Sequence, residues 1–436
     1  MKRYDFDAPV DRHGTGSLKF DRAIARHKSP DLLSLWVADM DFPTAPEIVE
    51  AIQRRAAHGI FGYTEPDDDY FDAVSSWLEQ RYGWRPQDDW YVVTPGVVFA
   101  LAAAVRAFTV PGDRVLIQQP VYYPFKEVVE DNGAVVLNVP LAYENGAYSI
   151  DFEAFEDAVR QQRPKLFLLC NPHNPGGRVW TREELSRLAA ICLDNDVLIV
   201  SDEIHQDFAR PGFAHCSLGT LGQEVLENAI ICTSASKTFN LAGLQASNII
   251  IPDAEVRAKF VHAVAAAGYS QPNTLGLVAT EAAYEHGGEW LAQLKDYLEG
   301  NWALLEKRLR PYEGRIHLVE SESTYLAWID CRGLGLFGDD LKGFVEDEAG
   351  LWLDLGDMFG ADGDGFIRIN IATQRAYLDK ALDQLVNALE ARISRNSHGN
   401  CGSSTHLAHV FALHSRRIYA RASPLATRHE KRSKNG

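Results

Sequence analysis

"AIICTSASK", residues 229–237, joins an unbroken apolar run to a small hydroxyl-bearing platform that ends in Lys237. Runs of the same kind recur at "DRVLIQQ" (113–119), "KLFLLC" (165–170), "VLIV" (197–200) and "SNIII" (247–251). Stretches with apolar residues at helical spacing lie between them, such as "APEIVEAIQRRAAHG" (45–59) and "REELSRLAAICLDND" (182–196). Short apolar runs alternating with helices are the pattern of a mainly parallel sheet buried on both faces. The expected fold class is therefore α/β, with a large doubly wound domain over about 46–288. After residue 288 a long helix (about 289–310) leads to the strand-like "TYLAWIDC" (324–331) and "FIRINIA" (366–372). This predicts a smaller α/β domain over 289–395, joined by the N-terminal segment 1–45.

Composition narrows the function classes. The 436 residues are 46% hydrophobic and 24% charged, which is globular, and the formal charge of −17 disfavours nucleic-acid or anionic-membrane surfaces. Six scattered cysteines without paired spacing read as buried thiols in a reducing compartment. The first twenty residues carry no apolar signal core, and the most apolar helix, "VVFALAAAVRAFTV" (97–110), is short and carries Arg106. These features predict a cytoplasmic protein. The segment 396–436 has weak periodicity and seven basic residues against the single acid Glu430, and it reads as a disordered basic tail.

Open parallel sheets bind ligands outside the carboxyl ends of their strands. "NPHNPGG" (171–177) follows one run and presents Asn174; "SDEIHQD" (201–207) follows another and presents Asp202; "TSASK" presents Lys237. "QQPVYYPF" (118–125) places Tyr122 past a further run, and "TPGVV" (94–98) opens a helix whose free backbone N–H groups suit an anion. Taken singly, Lys237 could be a solvated lysine, Asp202 a cap, Tyr122 ordinary packing and Asn174 a turn former. Together they supply an amine, a carboxylate, an amide, an aromatic face and a phosphate cradle, the five things pyridoxal phosphate needs. Two other motifs carry less. "GLGLFG" (333–338) resembles a dinucleotide loop but comes too late in the chain, and "ADGDGF" (361–366) lacks the glutamate of a calcium loop. No metal site is expected. The pair Asp39/Asp41 reads as fixing the N-terminal strand that borders the substrate pocket.

"NPHNPGG", "SDEIH" (201–205), "SASKTFNLAG" (234–243) and "FIRINIA" occur in the order seen in fold-type I pyridoxal-phosphate enzymes of the aminotransferase class I/II superfamily. The chain resembles that superfamily from residue 1 to about 395. "LWVADMDF" (35–42), "FGYTEP" (61–66), "SDEIHQDF" (201–208) and "TFNLAGLQASNIII" (238–251) are most similar to its MalY/PatB branch of cystathionine β-lyases. The resemblance implies that Lys237 binds the cofactor covalently, Asp202 its pyridine nitrogen and Asn174 its phenolic oxygen. It implies that Tyr122 stacks on the ring and His205 lies beside it, with Gly96, Val97, Ser234 and Ser236 around the phosphate. Arg368 would clamp the substrate carboxylate, Trp36 would border the substrate, and Tyr63 would reach the partner's site in a homodimer. Gln245 stands where many aminotransferases carry an arginine, and His205 where they carry a tyrosine. The implied activity is α,β-elimination from cystathionine or cysteine S-conjugates. An aminotransferase is the alternative, and a transcriptional regulator built on this fold is a remote one.

Overall fold

A computed structural model describes residues 2–399, with side chains as far as 395. The expected tail lies outside the described residues from 400 onwards; 396–399 still belong to the helix Arg375–Gly399. Residues Met1–Val386 form one compact unit, and the described part of a second, from Asn387, is helical.

A seven-stranded sheet dominates the first unit. From edge to edge its strands are Tyr91–Thr94, Ser247–Ile250, Ala229–Thr233, Leu198–Asp202, Leu166–Cys170, Arg114–Ile117 and Val135–Asn138. The five from Ala229–Thr233 to Val135–Asn138 are mutually parallel, whereas Ser247–Ile250 is antiparallel to both neighbours. The runs at 166–170, 198–202 and 229–233 are buried along almost their whole length, as expected of strands covered on both faces. One face, carrying Leu166, Leu168, Val200, Ile230 and Ile249, packs on the helix Val97–Phe108 and on Phe260 and Val264. Each such aliphatic side chain contributes roughly 1.5–3 kcal/mol by leaving water.

Two edge strands, Tyr91–Thr94 and Val135–Asn138, lie outside the apolar runs singled out above, and both are buried less completely than the central strands. The direction of Ser247–Ile250 departs from the parallel reading of "SNIII". Composition marks a buried strand, but the loop that leads into it sets its direction.

A four-stranded antiparallel sheet, ordered His317–Leu318, Leu326–Asp330, Phe366–Asn370 and Asp354–Leu355, carries Arg368. The N-terminal strand Leu33–Ser34 pairs in parallel with Leu351–Trp352. "GLGLFG" lies between the strand Leu326–Asp330 and the short helix Gly338–Gly343, and "ADGDGF" turns into Phe366–Asn370.

Several helices start on a side-chain cap. Thr181 and Glu184 form a reciprocal capping box, and Asp67, Asp151, Asp253 and Asn273 each accept from first-turn N–H groups. The helix Val97–Phe108 starts on Gly96 without any side-chain cap. Its first-turn N–H groups are left for something else. Among the described residues no helix is long and apolar enough to cross a membrane.

Candidate active site

The strand ends meet around a cavity of about 180 Å³. Gly96, Val97, Tyr122, Asn174, Asp202, His205, Ser236 and Lys237 line it, which brings together eight of the twelve residues singled out from sequence. Ser234 stands one step behind the wall, with its Oγ 2.9 Å from Ser236 Oγ and accepting the Ser236 N–H at 3.1 Å.

Lys237 belongs to the single helical turn Ala235–Thr238, capped by Ser234. Its part-buried Nζ donates to the Ala38 carbonyl at 2.9 Å. Burial, and secondly the positive charge of Arg368, pull the amine down to about 8, against the pull of Asp39 and Asp202. Asp202 ends the strand Leu198–Asp202 and is buried. Burial pushes its carboxyl up to about 7, partly offset by the Ile204 N–H, which donates to Oδ1 at 3.1 Å, and by Lys237. An amine and an acid are therefore both brought close to neutrality within one cavity, the pattern of groups prepared to exchange protons.

Asn174 Oδ1 accepts from Arg368 Nη1 at 3.0 Å, which leaves the amide Nδ2 as its free donor. The Asn174 carbonyl also accepts the Tyr122 N–H at 3.0 Å, tying the aromatic ring to the amide. His205 is buried with no partner for Nδ1. Burial, then the charges of Lys237 and Arg368, push its pKa well down, so the imidazole is neutral.

Three expected site residues lie off the cavity wall. Arg368 is buried behind Asn174 and donates to the Trp36 carbonyl at 3.1 Å. Trp36 stacks on Trp352 with ring centres 4.7 Å apart. Tyr63 is 94% exposed on a loop with exposed Ile60 and Phe61. Gln245 is exposed and stands in a left-handed conformation (φ 53°).

The N-terminal segment reaches the site through a charged clasp. Arg12 pairs with Asp39 at 2.6 Å and with Asp41 at 2.7 Å, and the fully buried Lys19 pairs with Asp41 at 2.7 Å. The clasp carries Ala38, whose carbonyl receives Lys237 and also the Tyr325 hydroxyl at 3.1 Å. Sequence reasoning assigned the anchoring role to Asp39 and Asp41 but missed Ala38, because a backbone carbonyl leaves no side-chain signature. It also missed Cys170, Ile204 and Ser247 on the wall. Among the described residues no group of three His, Cys, Asp or Glu side chains is arranged to hold a metal ion.

Comparison with known proteins places this arrangement. Residues 30–385 match the model of aminotransferase class I and II. The cystathionine β-lyase PatB of Bacillus subtilis is 42% identical over 385 residues, covering 88% of this chain and all of PatB. The protein MalY of Escherichia coli is 32% identical over 390 residues, covering 89% of this chain and 99% of MalY. The crystal structure of cystalysin from Treponema denticola, which contains pyridoxal 5′-phosphate, superposes with a TM-score of 0.86 at 35% identity, covering 89% of this chain and all of cystalysin. A match over most of the chain, and a relative of this identity aligned along its entire length, mean that the chain belongs to the aminotransferase class I and II family.

Proposed function

We propose that this protein is a pyridoxal-phosphate-dependent carbon–sulfur β-lyase, which cleaves L-cystathionine or related cysteine S-conjugates to a thiol, pyruvate and ammonia. The observation that carries the reading is the enclosure of Lys237 and Asp202 in one cavity, with the amine drawn down and the acid drawn up toward neutrality.

The residues present fit the cofactor. Gly96 is extended (φ 171°), a conformation open to any residue, and an added Cβ there would meet no protein atom within 4 Å. The missing side chain thus keeps open space beside the uncapped N-terminus of Val97–Phe108, where a phosphate gains from the N–H groups and the helix dipole. Ser234 and Ser236 add hydroxyls on the neighbouring element. Gly96→Ala is expected to weaken pyridoxal phosphate binding about tenfold or more while costing the apoprotein only ~1 kcal/mol. Cofactor titration and thermal unfolding of the variant check this. Equal affinity would remove the cradle from the account.

Bound there, pyridoxal phosphate supplies an electron sink for the pair left at the substrate Cα. The protein's residues do the rest. Lys237, held beside the Ala38 carbonyl, takes the Cα proton on Nζ as general base. Asp202 would accept a hydrogen bond from the protonated ring nitrogen and so stabilise its charge. Asn174 Nδ2 would donate to the phenolic oxygen, Tyr122 would cover one face of the ring and neutral His205 would lie beside it. Arg368 binds the α-carboxylate and Trp36 borders the substrate. Loss of the thiolate from Cβ then follows, and water releases pyruvate and ammonia.

The same proposal includes a cytoplasmic homodimer with shared sites. It is supported by the exposed loop carrying Ile60, Phe61 and Tyr63, which would bring Tyr63 to the partner's cofactor phosphate. It also includes the division into 46–288 and 289–395 joined by 1–45, supported by the separate seven- and four-stranded sheets. The cofactor-loaded protein given L-cystathionine is expected to release pyruvate and homocysteine in equal amounts. Transfer of the amino group to an added 2-oxo acid, without pyruvate, would replace the lyase by an aminotransferase.

A further inference from the structure

Arg368 and Asp354 face each other on neighbouring antiparallel strands, Phe366–Asn370 and Asp354–Leu355. Directly opposed residues project from the same face of a sheet, so their side chains meet. Both are buried, and Arg368 Nη2 donates to Asp354 Oδ2. Nη2 gives its other proton to the Trp36 carbonyl at 3.1 Å, and Nη1 gives one to Asn174 Oδ1 at 3.0 Å. Nε is buried without a partner.

A guanidinium has five N–H donors in a planar fork. A carboxylate can bind it in two-pronged fashion along the Nε/Nη2 edge or along the Nη1/Nη2 edge. The remaining edge is blocked by the side chain's own Cδ. Both usable edges run through Nη2, and both Nη2 protons are committed. The donors left over, on Nε and Nη1, do not share a usable edge. A ligand carboxylate therefore forms a two-pronged pair only by taking a proton position from Trp36 or from Asp354. The Trp36 carbonyl is neutral and fixed in the backbone. Asp354 occupies the position that an incoming carboxylate wants and carries the same charge, so it is the group that must give way.

We propose that Asp354 is a specificity-determining residue that competes, as an internal carboxylate, with the substrate's α-carboxylate for the Arg368 fork. This rests on the reading of Arg368 as the carboxylate site. The competition keeps Arg368 neutralised between turnovers and raises the threshold for weak carboxylates. A ligand that brings further contacts, through its amine and the cofactor, passes this threshold; a bare carboxylate does not.

The test compares cofactor-loaded protein with its Asp354→Asn variant, which keeps an oxygen for Nη2 but removes the charge. The probe is propionate, a carboxylate without an amine, followed by calorimetry. The expected result is propionate binding about tenfold or more tighter in Asp354→Asn. KM for L-cystathionine should fall in parallel, with a smaller change in kcat. Asp354→Ser serves as a second variant, and thermal unfolding reports that each is folded. Unchanged or weaker propionate binding in the folded variants overturns the competition. Arg368→Ala separates the two levels of the argument. If it leaves propionate binding and KM unaltered, the reading of Arg368 itself fails. If it abolishes both while Asp354→Asn gives no gain, only the role of Asp354 fails.

Discussion

Lys237→Ala is expected to lower turnover by roughly 10⁴-fold or more, the largest effect of any single substitution in this chain. The variant loses the covalent hold on the cofactor and the base for the Cα proton at one stroke. Pyruvate release and the visible absorbance of the purified protein report these two losses separately. Lys237→Arg is the sharper comparison, because it preserves the positive charge but never yields a neutral amine. Activity within tenfold of the parent in either variant would overturn the mechanism. The fold itself should not suffer. Between about 8, where burial holds the amine, and its ordinary 10.5, the unfolded chain binds the proton that the folded chain does not. Stability therefore rises with pH across that window, and below it the native state carries the full cost of burying this group. Lys237→Ala removes that cost, so the cofactor-free variant is expected to be at least as stable at pH 7. The neutral amine is also the form that bonds an aldehyde. Uptake of pyridoxal phosphate by the apoprotein should accelerate as pH rises toward about 8 and level off beyond it.

The features legible in the sequence were those in which local chemistry and position coincide. Leu166–Cys170 and Ala229–Thr233 are apolar at nearly every position because both faces are covered, and the residues just past the end of such a strand must lie at the ligand-binding edge. Asn174, Asp202 and Lys237 could thus be placed together before any coordinates. Val135–Asn138 is apolar at three of its four positions although it is incompletely buried, so its place at the edge of the sheet leaves no mark in composition. Trp36, Tyr63 and Arg368 came from resemblance alone, because no spacing rule ties them to strands so distant in sequence. Ala38 and Asp354 were invisible for different reasons. Ala38 acts through a carbonyl that every residue possesses, and its placement depends on the clasp of Arg12, Lys19, Asp39 and Asp41. Asp354 becomes informative only when strand register sets it opposite Arg368. A carboxylate in a strand otherwise gives no hint of such a role.

Asp202→Asn is expected to reduce kcat by about 10³-fold while making the cofactor-free protein more stable above neutral pH, a combination that a merely structural aspartate would not produce. The catalytic half follows from the charge. An amide can hydrogen-bond to a ring nitrogen but cannot favour its protonated form, so less negative charge is stabilised when the Cα proton leaves. Asp202→Glu, which retains the charge on a longer arm, should recover part of the loss. The stability half follows from burial, which raises the acid from 3.8 to about 7. The folded chain therefore holds a proton that the unfolded chain has released over that interval, and stability falls as pH rises through it. Above about 7 the parent carries a buried carboxylate and the amide variant does not, a difference of about 2–4 kcal/mol. Below 3.8 the acid is protonated in both states and the advantage of the variant disappears. Denaturant unfolding of the two apoproteins at about pH 5 and about pH 8, one inside that interval and one above it, measures this directly. Equal stability at both values, with kcat within tenfold of the parent, would mean that Asp202 is neither held in a dry site nor paired with the ring, and both the geometry and the chemistry assigned to the cavity would have to be abandoned together.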